Sequence, residues 1–495
     1  DSVASRGLGD VYKRQGPGDE GLITVKGLRL IQKADYIIYD RLINYNLLNE
    51  KKADAKIFYV GKEGMKSSWK QEAINDLLLK CASEEGKITV RLKGGDPLVF
   101  GRGSEEALFL KERGIKSEIV PGISSSIGGL IYAGIPTTHR ETSRSFHVFT
   151  GHTMDGSAEL DWENLAHMEG TLIFLMAMSN IETIADKLIA AGKDPNTKAA
   201  FIYKASRSDQ KSFTTTLKDA YECKTINNIK NPSVFVVGDV VQFAHEIDFF
   251  GDRPLKDRSF ILLRKKEFNQ DFKDFLIENK AEFLELETIK YTPIHDPGFD
   301  EALKNIEAYK YLILTSRNAV EFFFKRALEL GIDFRRFANI KIASIGQKTM
   351  KDIETYGFKA DYVSEKYTSD EMIKNITSKF EKGAKVLYPH SDKAKGNIRA
   401  ALEAYDVDAF EIYKNSDEAY EKMYLEDRVY DIFFFSSSEA ISFNKFYPEL
   451  MSKARIYSIG PYTTKSIEAM GYKVYKEAKV HDSEGMIDLV KEEIN

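Results

Sequence analysis

Three short apolar stretches of strand length recur in the N-terminal part of the chain, with helical patterns between them. This strand–helix–strand alternation predicts an α/β fold with a parallel sheet. The carboxyl ends of parallel strands meet at one edge of a sheet, where such folds bind small molecules. Asp40, Lys62 and Asp96 each come just after one of the stretches, so we expect all three at that edge. The predicted strands are Tyr36–Tyr39, Ile57–Val60 and Lys87–Leu92.

The third strand leads into Gly94-Gly95-Asp96-Pro97, the stretch around which we expect the site to be organised. Glycine lets the backbone approach a ligand where a Cβ atom would collide. Asp96 adds a carboxylate, and Pro97 fixes the turn that follows. Taken alone, the motif also fits a simple tight turn. We expect Ser104 to cap the next helix and Gly114 to end it.

A second α/β unit is predicted after a turn at Val120–Ser125. Three bases, His139, Arg140 and Arg144, fall in its loops close to strand ends. Each base alone fits a solvated surface, but the cluster favours a site for a polyanion or a polycarboxylate. The predicted strands of this unit are Phe146–Thr150, Thr171–Met176, Ala199–Tyr203 and Ser233–Val237.

A domain boundary is predicted near residues 250–256, where Gly251-Asp252-Arg253-Pro254 breaks regular structure. Beyond it the α/β alternation resumes, and we expect two lobes, one of residues 256–290 plus 415–495 and one of 291–414. The predicted strands are Phe260–Leu263, Tyr311–Thr315, Lys341–Ile345, Lys385–Tyr388, Ile432–Phe435 and Arg455–Ile459.

This C-terminal part contains a duplication. Ser344-Ile345-Gly346 recurs as Ser458-Ile459-Gly460, and Thr315–Val320 matches Ser436–Ile441. Two copies indicate two similar lobes, and a ligand cleft is the default expectation between lobes. The hydroxyl-rich turns open helices, where they either bind carboxylates or serve only as helix caps.

Composition excludes several classes of function. The 495 residues are 43% apolar and 30% charged, with a net charge of −5, which gives no reason to expect nucleic acid or a membrane as partner. The two cysteines, Cys81 and Cys223, are too few for a disulfide framework or a cysteine metal site. They are consistent with a cytoplasmic protein.

Seven spaced motifs between residues 16 and 250 resemble those of the uroporphyrinogen III C-methyltransferases, which are tetrapyrrole methylases. The resemblance implies two subdomains, about 16–120 and 121–250, that bind S-adenosylmethionine between them and methylate C2 and C7 of uroporphyrinogen III to give precorrin-2. The motifs are Gly16-Pro17-Gly18-Asp19, Tyr39–Leu42, Val60–Lys62, Arg91–Arg102, Val120–Ser125, Ala133–Arg140 and Val236–Val241.

Site residues follow from this resemblance. Asp40 would be the proton acceptor and Lys62 the proton donor, and no metal is required. The carboxylates of the macrocycle would be partly neutralised by Lys62, Arg102, His139, Arg140 and Arg144. Since the family is usually dimeric, a homodimer through this half is expected. The cofactor pocket would be lined by Pro17, Gly94, Gly95, Asp96, Val99, Ser124, Ser125, Met176 and Ala205.

Residues 256–495 resemble uroporphyrinogen III synthase, which closes hydroxymethylbilane to uroporphyrinogen III without a cofactor. Its product is the substrate of the methyltransferase, so the two activities are consecutive steps toward siroheme or cobalamin. The resemblance implies that Tyr413 assists loss of the terminal hydroxyl, although it also fits a simple packing role. The turns expected to bind substrate carboxylates carry Thr315, Ser316, Ser437 and Thr463.

Two features depart from the methyltransferase pattern. Residues 1–15 show no strand periodicity and are interpreted as a non-native leader. Where the family has an apolar first strand, the chain has Lys13 and Arg14, so the strand is either missing or its bases reach its ends. Ala205 replaces a glycine, which a negative φ would tolerate.

The alternative function is a methylase of another substrate, such as ribosomal RNA or diphthine, joined to a non-catalytic two-lobed ligand-binding module.

Overall fold

The computed structural model describes residues 10–14, 18–61, 69–151, 159–364, 379–394, 405–417, 420 and 422–494. Two predicted site residues, Pro17 and Lys62, lie outside these ranges. The chain divides into two compact units, Asp1–Leu286 with Met423–Asn495 and Glu287–Lys422. Within the described ranges, the first unit contains three sheets and the second unit one. In the same ranges, no helix is long and apolar enough to cross a membrane.

The first sheet consists of β1 (Asp10–Arg14), β2 (Tyr36–Tyr39), β3 (Lys56–Tyr59), β4 (Ile88–Leu92) and β5 (Ser117–Ile119). Its order is β3-β2-β4-β1-β5, and all its strand pairs are parallel, as predicted.

Strand β1 corrects the expectation that residues 1–15 contain no strand. Val11 pairs with Thr89 of β4 on one side and with Ser117 of β5 on the other. Of the two alternatives for this segment, the one in which the strand is missing is therefore wrong. Main-chain groups of two neighbours supply the pairing, so a strand forms here without an apolar side-chain pattern.

The second sheet consists of β6 (Phe146–Thr150), β7 (Thr171–Leu175), β8 (Lys198–Tyr203), β9 (Lys211–Thr216) and β10 (Ser233–Val237). Its order is β6-β7-β10-β8-β9, with β6 and β7 parallel and the other pairs antiparallel. Strand β9 was not predicted because its Lys, Ser and Thr side chains are mostly exposed and show no apolar alternation.

Helices cover both faces of the second sheet, which explains its continuous apolar strands. Phe174, Phe201 and Phe235 pack on one face, and Ile173 and Val234 belong to the core of the other. The helices of this part of the chain are α1 (Val25–Lys33), α2 (Gln71–Ala82), α3 (Gly103–Glu112), α4 (Ser125–Ile131), α5 (Trp162–His167), α6 (Ile181–Ala190) and α7 (Ala220–Ile226).

Helix α3 starts earlier than predicted. Arg102 precedes it with a left-handed φ of 55°, and the helix has no side-chain cap. Ser104, the expected cap, therefore lies inside the first turn. The Gly103 N–H donates to the Pro97 carbonyl oxygen at 2.9 Å, which brings the chain back onto the turn and sets the earlier start. Gly114 follows the helix with a φ of +78°, as expected of a residue that ends it.

The third sheet, β12-β11-β19-β20-β21, is all parallel and belongs to the first unit. Its strands are β11 (Ser259–Leu262), β12 (Glu282–Glu285), β19 (Asp431–Phe434), β20 (Arg455–Ser458) and β21 (Lys476–Glu477). Its helices are α8 (Gln270–Glu278), α12 (Ser437–Phe446), α13 (Pro448–Met451), α14 (Pro461–Ala469) and α15 (Ser483–Ile494).

The fourth sheet forms the second unit, in the order β13-β18-β17-β14-β15-β16, with only β13 antiparallel to its neighbour among the described pairs. Its strands are β13 (Lys290–Pro293), β14 (Tyr311–Leu314), β15 (Lys341–Ile345), β16 (Tyr362–Ser364), β17 (Lys385–Ser391) and β18 (Asp406–Ser416). Its described helices are α9 (Pro297–Lys304), α10 (Arg317–Glu329) and α11 (Gly346–Glu354).

The duplication is visible in the structure, but its register differs from the predicted one by one residue. Ser316 caps α10 with φ −156° and ψ 159°, and Ser436 caps α12 with φ −158° and ψ 156°. Each Oγ accepts from the N–H three residues on, at Ala319 and Glu439. Ser316 therefore corresponds to Ser436, whereas the sequence match had paired it with Ser437.

A buried carboxylate joins three parts of the lobe around the third sheet. Asp431 Oδ2 accepts from Arg258 Nε at 2.7 Å and from Arg455 Nη2 at 2.9 Å. Arg258 also pairs with Glu493 of α15 at 3.0 Å. Because the Asp431 side chain is only 1% exposed, it depends on these guanidinium groups to replace water.

We predict that Asp431→Asn lowers the free energy of unfolding by about 3 to 5 kcal/mol, because it leaves two guanidinium groups with a neutral partner. The measurement is urea denaturation of the full chain followed by circular dichroism. The matched control is Asp427→Asn, whose carboxylate is 75% exposed and pairs with Lys453. It should change the same quantity by less than about 1 kcal/mol. Equal losses in both variants would contradict the prediction.

Candidate active site

Gly94 lies just after β4, in close contact with the segment that follows β2. A Cβ atom at this position would lie 2.6 Å from Leu42 Cβ and 2.8 Å from the Leu42 carbonyl oxygen. Gly95 adopts a φ of +80°, which L side chains rarely allow. The turn therefore requires two glycines, and it presents bare backbone at the sheet edge.

Asp96 holds this turn to the hinge between the two α/β subdomains. Its Oδ1 accepts from the Leu98 N–H at 2.8 Å, and its Oδ2 accepts from the Gly122 N–H at 3.1 Å. Both carboxylate oxygens thus bond the protein backbone. The geometry gives Asp96 a structural role at the base of the site.

Asp40 lies at the same edge, as predicted from its place after β2. Arg91 Nη2 donates to Asp40 Oδ2 at 3.3 Å, and the Leu42 N–H donates to Oδ1 at 3.1 Å. Behind it Arg91 Nε lies 3.6 Å from Oε1 of Glu106, which is fully buried, and Lys93 Nζ lies 3.1 Å from the same oxygen. Burial lowers the pKa of Lys93. A chain of alternating charges therefore leads from the interior to Asp40.

The loop 204–210 approaches the turn that contains Gly18. The Asp19 N–H donates to Ser206 Oγ at 3.0 Å, and a Cβ atom on Gly18 would lie 2.8 Å from that oxygen. Lys204 and Ser206 have left-handed φ angles of 48° and 65°, whereas Ala205 between them does not. The condition under which Ala205 was expected to be tolerated, a φ that is not positive, is therefore met.

These elements enclose a cavity of about 180 Å³. Gly94 and Gly95 line it from the first subdomain, and Ser125 and Ala205 line it from the second. The lining combines glycine backbone and apolar side chains with charged ones, among them Lys204, Arg207 and Glu282. Its apolar part suits a flat apolar portion of a small ligand. Further lining comes from Leu42, Ile202, Val234, Phe283 and Tyr430.

Four other predicted pocket residues do not line this cavity. Ser124 caps α4 and its Oγ lies 2.8 Å from Ser126 Oγ. Met176 has a φ of 55° and is exposed, and Val99 is also exposed. Asp96 bonds the backbone as described above. Their assignment to a ligand stays a prediction.

The predicted anion-binding bases lie on loops. His139 closes a tight turn with Ser143, and its ring lies 4.4 Å from that of Phe243. Arg140 lies within this turn and Arg144 directly after it, and both are exposed. Arg102 is exposed at the start of α3. Among the residues described, no group of His, Cys, Asp and Glu side chains could hold a metal ion.

In the second unit the structure brings together two predicted residues of the C-terminal half. The Tyr413 hydroxyl lies 3.0 Å from Ser316 Oγ, at the N-terminus of α10. Tyr413 is buried and its ring stacks on Phe322 at 5.1 Å. Burial raises the pKa of the Tyr413 phenol above its usual value. Thr315 comes directly before Ser316 and is half-buried.

The predicted carboxylate-binding hydroxyls around the third sheet contact another helix. Ser437 Oγ donates to the Tyr462 carbonyl oxygen at 3.2 Å and accepts from Ser466 Oγ at 2.9 Å. Thr463 is buried. The predicted residues Ser437 and Thr463 therefore lie where α12 packs against α14.

The sequence patterns did not single out Glu439, which lies beside the end of β19. Its side chain is buried, and its Oε2 accepts from the Phe435 N–H at 2.7 Å. Burial raises its pKa to about 7. The signal was present, since Ser436 followed three residues later by Glu439 is the pattern of a capping box. Arg264, at the end of β11, lies against the Phe435 ring at 3.9 Å.

Comparison with known proteins finds one family match in each half of the chain. The family model of tetrapyrrole (corrin/porphyrin) methylases matches residues 15–221, and that of uroporphyrinogen-III synthase HemD matches residues 270–488.

Three relatives show which proteins the chain is similar to. A porphyrin biosynthesis protein HemD of Ruminiclostridium josui is 34% identical over 79% of this chain and 78% of its own. A uroporphyrinogen-III C-methyltransferase of Bacillus subtilis is 37% identical over 69% of this chain and 70% of its own. Another, of Priestia megaterium, is 47% identical over 48% of this chain and all of its own length. The chain therefore belongs to the tetrapyrrole methylase family, as a fusion of a uroporphyrinogen-III C-methyltransferase half with a uroporphyrinogen-III synthase half.

Proposed function

We propose that the chain catalyses two consecutive steps, cyclisation of hydroxymethylbilane to uroporphyrinogen III and methylation of that product at C2 and C7 to give precorrin-2. The observation that carries the proposal is the cavity lined by Gly94 and Gly95. It lies at the edge of the first sheet, where Asp40 also lies. The match of residues 15–221 and 270–488 to the two families supports it. Precorrin-2 would then lead to siroheme or cobalamin.

The residues of the cavity fit S-adenosylmethionine, which supplies a methyl group on a sulfonium centre. Gly95 has open space where a Cβ atom would lie, so a ligand can approach its backbone, whereas the missing side chain of Gly94 makes room for Leu42. Ser125 and Ala205 face the same space from the second subdomain. We propose that these four residues hold the cofactor, with Pro17, Asp96, Val99, Ser124 and Met176 as the further predicted contacts.

Asp40 is proposed to accept the proton that the methylated pyrrole ring loses. Its Oδ2 already accepts from Arg91, so the carboxylate is held in one orientation at the sheet edge. Lys62 is the proposed donor. The carboxylates of the macrocycle would pair with Arg102, His139, Arg140 and Arg144, since each presents nitrogen donors on an exposed loop.

Tyr413 is proposed to donate a proton to the departing hydroxyl of hydroxymethylbilane. Its phenol carries the proton at neutral pH, as an ordinary tyrosine does, and burial raises the pKa further. Ser316 lies 3.0 Å away and orients the hydroxyl. Thr315, Ser437 and Thr463 stay the predicted carboxylate contacts of this half, which we propose acts without a cofactor. A homodimer and a cytoplasmic location also stay predictions.

The two activities are tested together by supplying hydroxymethylbilane and S-adenosylmethionine to the full chain and following the product by mass and absorption spectrum. We expect a cyclised, twice-methylated product. A cyclised product without methyl groups would contradict the methyltransferase assignment. If added uroporphyrinogen III is methylated but hydroxymethylbilane gives only the uncatalysed isomer, the synthase assignment is wrong.

Asp40→Asn should lower kcat of methylation about 100-fold or more, because a general base contributes on that order. The dissociation constant of S-adenosylhomocysteine, measured by calorimetry, should change by less than about threefold, because Asp40 does not line the cofactor cavity. Asp54→Asn, an exposed carboxylate on the same subdomain, is the matched control and should change neither quantity. Full methylation by Asp40→Asn would rule out its role.

Tyr413→Phe should lower kcat of cyclisation about 100-fold, since the ring keeps its packing on Phe322 but loses the proton donor. The assay is the initial rate of uroporphyrinogen III formation, with isomers separated by chromatography. Tyr356→Phe removes another half-buried phenol of the same unit, which stacks on Phe324, and serves as control. Similar rates in the two variants would show that Tyr413 only packs.

A further inference from the structure

The cavity proposed to hold the methyl donor has a wall from the C-terminal half of the chain. Glu282 and Phe283 of β12 line it, together with Glu426, Arg428 and Tyr430 from the segment before β19. All of these residues belong to the same compact unit as the methyltransferase half. The cavity is therefore built by both halves, although the two activities are separate.

Glu282 bonds directly to the loop that carries Ala205. Its Oε1 lies 3.0 Å from Arg207 Nη2. Its Oε2 accepts from the Ser208 N–H at 2.9 Å and from Ser208 Oγ at 2.8 Å. Arg428 also donates to this carboxylate. One side chain of the C-terminal half thus satisfies backbone, hydroxyl and guanidinium groups around the loop.

A second carboxylate holds the same loop from the same side. Glu426 Oε1 accepts from Arg207 Nη1 at 3.0 Å, and its Oε2 lies 3.7 Å from Lys204 Nζ. Arg207 therefore lies between Glu282 and Glu426, both outside the methyltransferase half. Two carboxylates fix both ends of its guanidinium group and leave it little rotational freedom.

The charge on Glu282 is retained. Burial alone would raise the pKa of this carboxyl group, but Arg207 and Arg428 outweigh burial and hold the pKa far below its usual range. Burying the cluster is costly unless every charge keeps its partner. Removal of one carboxylate would therefore leave Arg207 with one buried partner fewer and loosen the loop, which Arg253 also contacts.

The loop needs such a restraint because of its backbone. Lys204 and Ser206 both adopt left-handed φ angles on either side of Ala205. Each such residue costs about 1 kcal/mol or more unless its surroundings hold it. Ser206 also accepts from the Asp19 N–H, so movement of the loop would disturb the Gly18 turn as well.

Strand β12 is a firm base for Glu282. Asn46 Nδ2 donates to the Phe283 carbonyl oxygen at 3.0 Å, and Asn46 Oδ1 accepts from the Glu285 N–H at 2.9 Å. Asn49 Nδ2 donates to the Glu285 carbonyl oxygen at 2.7 Å. The first methyltransferase subdomain thus hydrogen-bonds to β12, and β12 carries the Glu282 carboxylate that contacts the second subdomain.

We propose that Glu282 is a positioning residue of the methyl-donor site and holds the loop 204–210 against the cavity. The C-terminal lobe would thereby contribute to binding of the methyl donor. This inference rests on the proposed function of the cavity. It concerns only the lobe around the third sheet and is independent of the cyclisation chemistry.

The test compares full-length wild type with Glu282→Gln and with the matched control Glu278→Gln, an exposed carboxylate at the end of α8. Calorimetry gives the dissociation constant of S-adenosylhomocysteine, and hydrogen exchange gives the protection of amides 204–210. We expect Glu282→Gln to raise the dissociation constant at least tenfold and to speed exchange in the loop. Glu278→Gln should change neither quantity.

A second variant covers the case in which Glu282→Gln fails to fold by circular dichroism. Ser208→Ala keeps every charge and removes the hydroxyl that donates to Glu282. It should raise the dissociation constant about threefold, a loss of roughly half of one hydrogen bond. Unchanged binding in Ser208→Ala would then overturn the inference.

The outcomes separate the inference from the function on which it rests. Wild type that binds no S-adenosylhomocysteine would overturn both. Wild type that binds it, with folded Glu282→Gln binding equally well, would overturn the inference alone. Faster loop exchange without weaker binding would also overturn it, because the loop would then be uncoupled from the cavity.

Discussion

The missing side chain at Gly94 is the constraint on which the candidate site depends. Since a Cβ atom there would overlap Leu42, the ends of β4 and β2 come closer than any other residue would permit. The same approach places Arg91 beside Asp40 and leaves bare backbone facing the cavity. A packing requirement between two strand ends therefore determines both the ligand space and the position of the proposed base.

The sequence was most informative where both faces of a strand are buried. Phe174 and Phe235 belong to such strands, and their continuous apolar runs were sufficient to locate β7 and β10. The sheet edge with Asp40 and Gly94 followed from the rule that parallel strands end together. Strands β9 and β1 were not predicted, because neither has an apolar pattern. Their pairing depends on main-chain groups of neighbouring strands.

Contacts between distant segments could not be read from the chain. Glu282 and Arg207 are separated by 75 residues and meet only after both halves have folded. Ser436 and Ser437 are adjacent serines, and only the backbone angles show that the first one caps α12. The capping pattern was enough to predict a role for Glu439 at the start of α12, but its burial depends on the packing around β19. Local sequence patterns identify helices and strands, whereas contacts between distant residues are known only from the fold.

Strand β12 lies at the edge of the third sheet, with β11 as its one described strand neighbour. The open edge of such a strand is a template to which another polypeptide can add. Here the amides of Asn46 and Asn49 already bond the main chain of that edge at Phe283 and Glu285. The methyltransferase half therefore protects its fused partner from self-association. Separating the two halves would expose this edge to pairing with another strand, even though the synthase sequence itself would be unchanged.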